Sequence, residues 1–80
     1  MAKARTMKIT QRQLRMIWKR YKGESYSDIG QAFSITGAGA RATIMDGLRI
    51  IREQKENAFP DAPDAIVAAL VQYAQSTTHQ

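Results

Sequence analysis

With 80 residues, the chain has room for one small domain, near the lower limit of what folds without covalent or metal staples. It has no cysteine and a single histidine, His79, which rules out disulfides and thiolate-held metal and leaves no expected metal or cofactor site. The net charge of +5 is lopsided: residues 1–23 hold eight basic side chains and no acid, whereas residues 24–80 hold four basic against seven acidic, net −3.

Positive charge gathered in this way is the footprint of a nucleic-acid binder, or else a solubilising extension of an ordinary domain. No apolar run approaches the roughly 20 residues that span a bilayer. The basic opening lacks the apolar segment of a signal peptide, so the expected setting is the cytoplasm, with no membrane partner.

Residues 1–8 show no periodicity and read as a basic arm carrying Lys3 and Arg5. Thr10 and Gln13 then have the spacing of a capping box, with Ile9 and Leu14 at the flanking staple positions. The helix that follows reaches about Lys22, with Leu14, Ile17, Trp18 and Tyr21 on its inner face. Arg12, Arg15, Lys19 and Lys22 fall mostly elsewhere around it, and Gly23 stops it.

Ser25 and Asp28 start a second helix, Tyr26 to Phe33, expected to bury Ile29, Ala32 and Phe33. Ser34-Ile35 makes a tight connection, and Thr36 caps the longest helix, Gly37 to about Lys55. Its inner stripe is Ala40, Ile44, Leu48 and Ile51. Gly47 in mid-helix implies close packing, expected against Trp18 or Tyr21.

Residues 57–63, with Pro60 and Pro63, break the helical pattern and read as a linker. Asp61 is expected to cap a last helix over 64–75, with Pro63 in its first turn. That helix is apolar on more than one side through Ile66, Val67, Leu70, Val71, Tyr73 and Ala74, and residues 76–80 form a tail. Two uses of it stand: pairing with a second copy through Ile66, Val67, Leu70 and Val71, or folding back over the core. The expected architecture is all-α, a three-helix core over residues 9–56 with a fourth, C-terminal helix.

Gly37-Ala38-Gly39 invites comparison with phosphate-binding loops. A P-loop needs a strand before it and a Lys-Ser/Thr pair after it, and a dinucleotide-binding turn needs a strand and a third glycine. Neither context is present. The carboxylates are scattered, and no nucleophile, base and orienting group can be assembled, so no enzymatic activity is expected.

What remains is a helix, a short helix, a tight turn and a longer helix. Residues 24–53 fit a helix-turn-helix, in which the second helix of the motif lies in the DNA major groove. Ile29 would anchor the first helix, Ala32 would let the two helices approach, Ile35 would plug the turn, and Ala40 and Ile44 would face inward.

Residues 9–53 resemble the DNA-binding module shared by LuxR-type response regulators and the promoter-reading end of sigma factors. Ile9-Thr10-Gln11-Arg12-Gln13 matches the opening of that pattern, Gly23-Glu24-Ser25 its middle and Asp28-Ile29-Gly30 its second helix. Ile35-Thr36 matches the turn, and Ala40 stands for a valine. Gly37-Ala38-Gly39 replaces the usual proline or lysine start of the recognition helix, and the basic arm lies outside the pattern. Small plasmid- or phage-encoded repressors and partition proteins carry the same module with similar sizes and arms. The resemblance implies a double-stranded DNA binder, a bacterial transcriptional regulator such as a repressor, or a plasmid-maintenance protein. The alternative from another class is a helical protein-interaction module whose basic arm docks an acidic partner.

Under the DNA reading, Gly37, Ala38 and Gly39 form the first turn of the recognition helix, whose free N–H groups and positive dipole end can face a phosphate. Arg41 suits either guanine O6 and N7 or a phosphate; Ala38, Ala42 and Thr43 suit a thymine methyl. Ser25 and Thr36 cap their helices and can lend a donor to phosphate. Arg12, Arg15, Lys19 and Lys22 are candidate phosphate contacts. Lys3 and Arg5 suit the minor groove or diffuse contacts. Trp18, Tyr21 and Phe33 sit at core spacing, not as a base-stacking platform.

Overall fold

A computed structural model describes residues 7–77; Lys3, Arg5 and His79 lie outside the described residues. These residues form an all-α fold of four helices, α1 (Gln11–Tyr21), α2 (Tyr26–Ala32), α3 (Gly37–Gln54) and α4 (Asp64–Ser76), with a 3-10 turn at Lys55–Ala58.

The first three helices begin where short polar side chains occupy the cap. Thr10 Oγ1 accepts from the Gln13 amide at 2.9 Å while Gln13 Oε1 accepts from the Thr10 amide at 3.0 Å, a complete capping box. Ser25 accepts from the Asp28 amide at 3.1 Å and Thr36 from the Gly39 amide at 2.9 Å. α1 ends at Gly23, whose φ of +105° is the left-handed geometry that glycine supplies at least cost. α4 differs from expectation. Its N-cap is Pro63, with no side-chain cap bond, and Asp61 lies outside the helix; Asp64 supplies the first-turn acid instead.

α3 is the central element and touches all three other helices. Ile29, Ala40, Ile44 and Ile51 are fully buried, together with Ile17 and Met16 of α1 and Leu70 and Ala74 of α4. Each large aliphatic of this set contributes about 1.5–3 kcal/mol through removal from water. Met16 lies off the expected inner stripe of α1, because α1 is packed by α2, α3 and α4 and buries a broader face. Tyr21, expected inside, is 43% exposed, and Trp18 is half-buried. Tyr21 stacks on Trp18 with centroids 5.2 Å apart and meets Tyr73 edge-on at 5.4 Å, so the ring trio ties the end of α1 to α4 at the surface.

Gly47 does mark close packing, but against a different neighbour. A β-carbon there would lie 2.7 Å from Ile17 Cδ1 and 3.6 Å from Ile9 Cγ2, not against Trp18 or Tyr21.

The stretch read as a linker enters the core. Ala58 is fully buried and Phe59 nearly so, and the Ile9 amide donates to the Ala58 carbonyl at 2.8 Å. Lys8 Nζ reaches the Asn57 carbonyl at 3.2 Å. The start of the first helix is therefore clasped to the chain leaving the third.

Candidate nucleic-acid interface

α2 and α3 are joined by Phe33, Ser34, Ile35 and the cap residue Thr36. Ser34 takes φ of +61°, which turns the chain sharply, and the amides of Ser34 and Ile35 donate to the carbonyls of Gln31 and Gly30 at 3.2 and 2.8 Å. Gly30, not Ala32, is the small residue that lets the turn close: a β-carbon on Gly30 would sit 2.7 Å from the Ile35 carbonyl oxygen and 2.8 Å from that of Thr36. Ala32 is exposed. Ile29 is buried as expected, while Phe33 and Ile35 are half-buried beside the core.

Gly37 has an intramolecular role. A β-carbon there would approach Ser27 Cα to 3.3 Å, so α3 starts against the first turn of α2. Two capped helix starts, at Ser25 and Thr36, thereby come onto one side of the molecule. Gly39 lies beside its own cap, with Thr36 Oγ1 3.2 Å from where its β-carbon would stand.

Beyond this junction, Ala38, Arg41, Ala42 and Met45 are exposed at helical spacings of three and four, a single outward stripe on the first half of α3. Met45 is 44% exposed. Thr43 stands apart from the stripe: it is half-buried, its hydroxyl donates to the Gly39 carbonyl at 2.9 Å, and its own carbonyl accepts from Gln13 Nε2 at 3.3 Å.

The cations divide by whether the protein already engages them. Arg12 donates to the Phe33 carbonyl at 3.3 Å with its guanidinium 5.6 Å from the Phe33 ring, bracing the turn between α2 and α3. Lys19 pairs with Glu24 at 3.6 Å, and Lys22 lies 5.7 Å from the Trp18 ring. Arg20, which no motif singles out, donates to the Glu24 carbonyl at 2.9 Å and covers the Tyr26 ring at 4.3 Å. Arg49 is bound by Asp46 at 2.7 Å and Glu53 at 3.5 Å. The Asp46 hydrogen bond, then its charge, hold the Arg49 guanidinium above its ordinary pKa. That i, i+3, i+4 pattern is legible in the sequence.

Among the described residues, Arg15 and Arg41 are the two cationic side chains with no hydrogen bond, ion pair or ring contact. Arg12, Arg15, Lys19 and Lys22 share one side of α1, at intervals of three and four. Their contacts with Phe33 at one end and Glu24 at the other run that side along α2.

The last helix mostly serves the core. Leu70, expected at an interface with a second copy, is fully buried within the chain and unavailable to a partner. Ile66, Val67 and Val71 are half-buried. Arg52 holds the Ala74 carbonyl at 3.4 Å. The outer side of α4 is Ala65, Ala68, Gln72 and Gln75, and Asp64 is the helix's one charged residue.

Among the described residues, no three His, Cys or acidic side chains come together as metal ligands, and no helix is long and apolar enough to cross a membrane. Comparison of the chain with protein families, with curated proteins and with solved structures finds no match.

Proposed function

We propose that this protein binds double-stranded DNA sequence-specifically, with α2, its turn and α3 acting as a helix-turn-helix and the first half of α3 entering the major groove. The observation that carries this reading is the exposed, unpartnered Arg41 one turn inside a capped helix whose start abuts the start of α2. In this mode N-terminal residues of the second helix meet base edges while the preceding helix crosses the phosphate backbone. The excess of cations before Gly23 supports it, since phosphate neutralisation supplies most non-specific affinity. The biological role that fits best is a cytoplasmic bacterial transcriptional regulator, a repressor of plasmid or phage type, with plasmid maintenance as its nearest relative.

A homodimer is the companion reading, through the uncharged outer side of α4 with Ile66, Val67 and Val71 at its margin. Two linked modules on one duplex raise affinity without new contacts.

Selection from a randomised duplex pool at about physiological salt, where charge alone no longer dominates, tests both. An enriched motif supports specific recognition, and an inverted repeat within it supports the dimer. Binding that is unselective and lost with salt overturns the reading.

A further inference from the structure

The side chains that α3 turns outward limit what it can read. From Gly37 to Met45 they are Ala38, Arg41, Ala42 and Met45; Ala40 and Ile44 are buried, and half-buried Thr43 is turned back on its own helix, its hydroxyl proton given to the Gly39 carbonyl. No carboxylate and no amide stands on this stretch. The first acceptor beyond it, Asp46, is held by Arg49 at 2.7 Å and lies 3.5 Å from Gln13 Nε2.

Base edges in the major groove demand different partners. Adenine is read by an Asn or Gln that both accepts from N6 and donates to N7, and cytosine by an acceptor for its N4 amine. Guanine takes a bidentate arginine, and thymine offers a 5-methyl group to apolar contact. The outward stripe has the last two chemistries and lacks the first two.

Resting on the DNA reading above, we infer that α3 recognises one guanine through Arg41 and the 5-methyl groups of neighbouring thymines through Ala38, Ala42 and Met45. It reads neither adenine nor cytosine by hydrogen bonding. Met45 is the specificity residue that this assigns: at 44% exposure a thioether side chain one turn beyond Arg41 has no core to fill, and in the groove it covers a methyl. Arg41 sets the guanine, and the methyl contacts on either side of it set the thymines. This makes Thr43 a structural residue of α3.

The test uses the full chain and a fluorescently labelled duplex of the sequence enriched by selection, with each thymine replaced in turn by uracil. Uracil pairs identically and differs only by the missing methyl. Removing a buried methyl from a well-packed contact is expected to weaken binding about three- to fivefold at two or more positions. Met45→Ala should weaken the thymine duplex by a similar factor and abolish the uracil effect at one position, with helical content and melting temperature unchanged. Tight, selective binding that is indifferent to every uracil, or a specificity dominated by adenine contacts at the α3 face, overturns this inference and leaves DNA binding intact. Absence of selective binding to any duplex overturns both.

Discussion

Gly30 and Ile35 meet face to face across the turn: the Ile35 amide donates to the Gly30 carbonyl at 2.8 Å, and the Ile35 carbonyl oxygen occupies the space within 2.7 Å of where a Gly30 β-carbon would stand. The opposing atoms are backbone, so they cannot swing aside as a side chain would. Gly30→Ala gains about 1 kcal/mol of helix propensity. It forces the turn open nonetheless, with a net loss of more than about 2 kcal/mol expected in urea unfolding. A variant as stable as the parent would show that the turn can relax.

Gly47 presents a softer version of the same problem. Its neighbour is the terminal methyl of Ile17, so Gly47→Ala should destabilise by about 1–2 kcal/mol after its propensity gain. Ile17→Val removes that methyl. The double variant should therefore be more stable than the sum of the two single changes implies, by about 0.5–1 kcal/mol in a double-mutant cycle. Simple additivity would mean that the crowding lies elsewhere.

Arg12 and Arg15, one turn apart on α1, should separate structure from binding. Arg12→Ala loses the bond to the Phe33 carbonyl and the contact with its ring, and should lower stability by about 0.5–1 kcal/mol. Arg15→Ala should leave the melting temperature unchanged, because exposed Arg15 makes no hydrogen bond, ion pair or ring contact within the protein. Both should weaken DNA binding, which a paired thermal melt and titration will show.

Leu70→Ala distinguishes a core helix from an interface helix. Leu70 is fully buried in the monomer, so its truncation should cost about 2–5 kcal/mol of folding stability. For a domain this small that is a large share of the whole. Sedimentation of a folded but dissociated Leu70→Ala variant would contradict this assignment.

On DNA, Arg41→Ala should lose about 1–3 kcal/mol on the selected site and relax preference at one position. Lys19→Ala should weaken all sequences alike and reduce the salt slope by about one. Loss of its surface pair with Glu24 should hardly move stability. If both variants bind as the parent does, α3 is not the reading helix.

Three helix starts were legible because Thr10, Ser25 and Thr36 are strong caps, each followed by apolar residues at helical spacing. The fourth was not. Pro63 caps with backbone geometry alone, while Asp61 carries the side chain that usually does so. In α2, seven residues are too few for periodicity to say whether Gly30 or Ala32 faces its neighbour, and the close return of Ile35 and Thr36 decides it. Ala58 and Phe59 have no repeat to betray their burial; only the folded-back path of the chain makes them core.

The candidate site was legible to a similar depth. Arg41 and the alanines follow from where α3 begins, whereas the engagement of Arg12 depends on the Phe33 carbonyl, which only the fold brings close. Side chains of identical charge on one helix thus do different work, according to which backbone carbonyl lies within reach.

The clasp between Ile9 and Ala58 also has a mechanical meaning. It fastens the root of the N-terminal segment to the turn that closes α3, a helix whose 18 residues span about 27 Å. A pull arriving along that segment is delivered to the far end of α3 as well as to α1. Load entering at Ile9 therefore passes to the same rod whose other end carries Arg41.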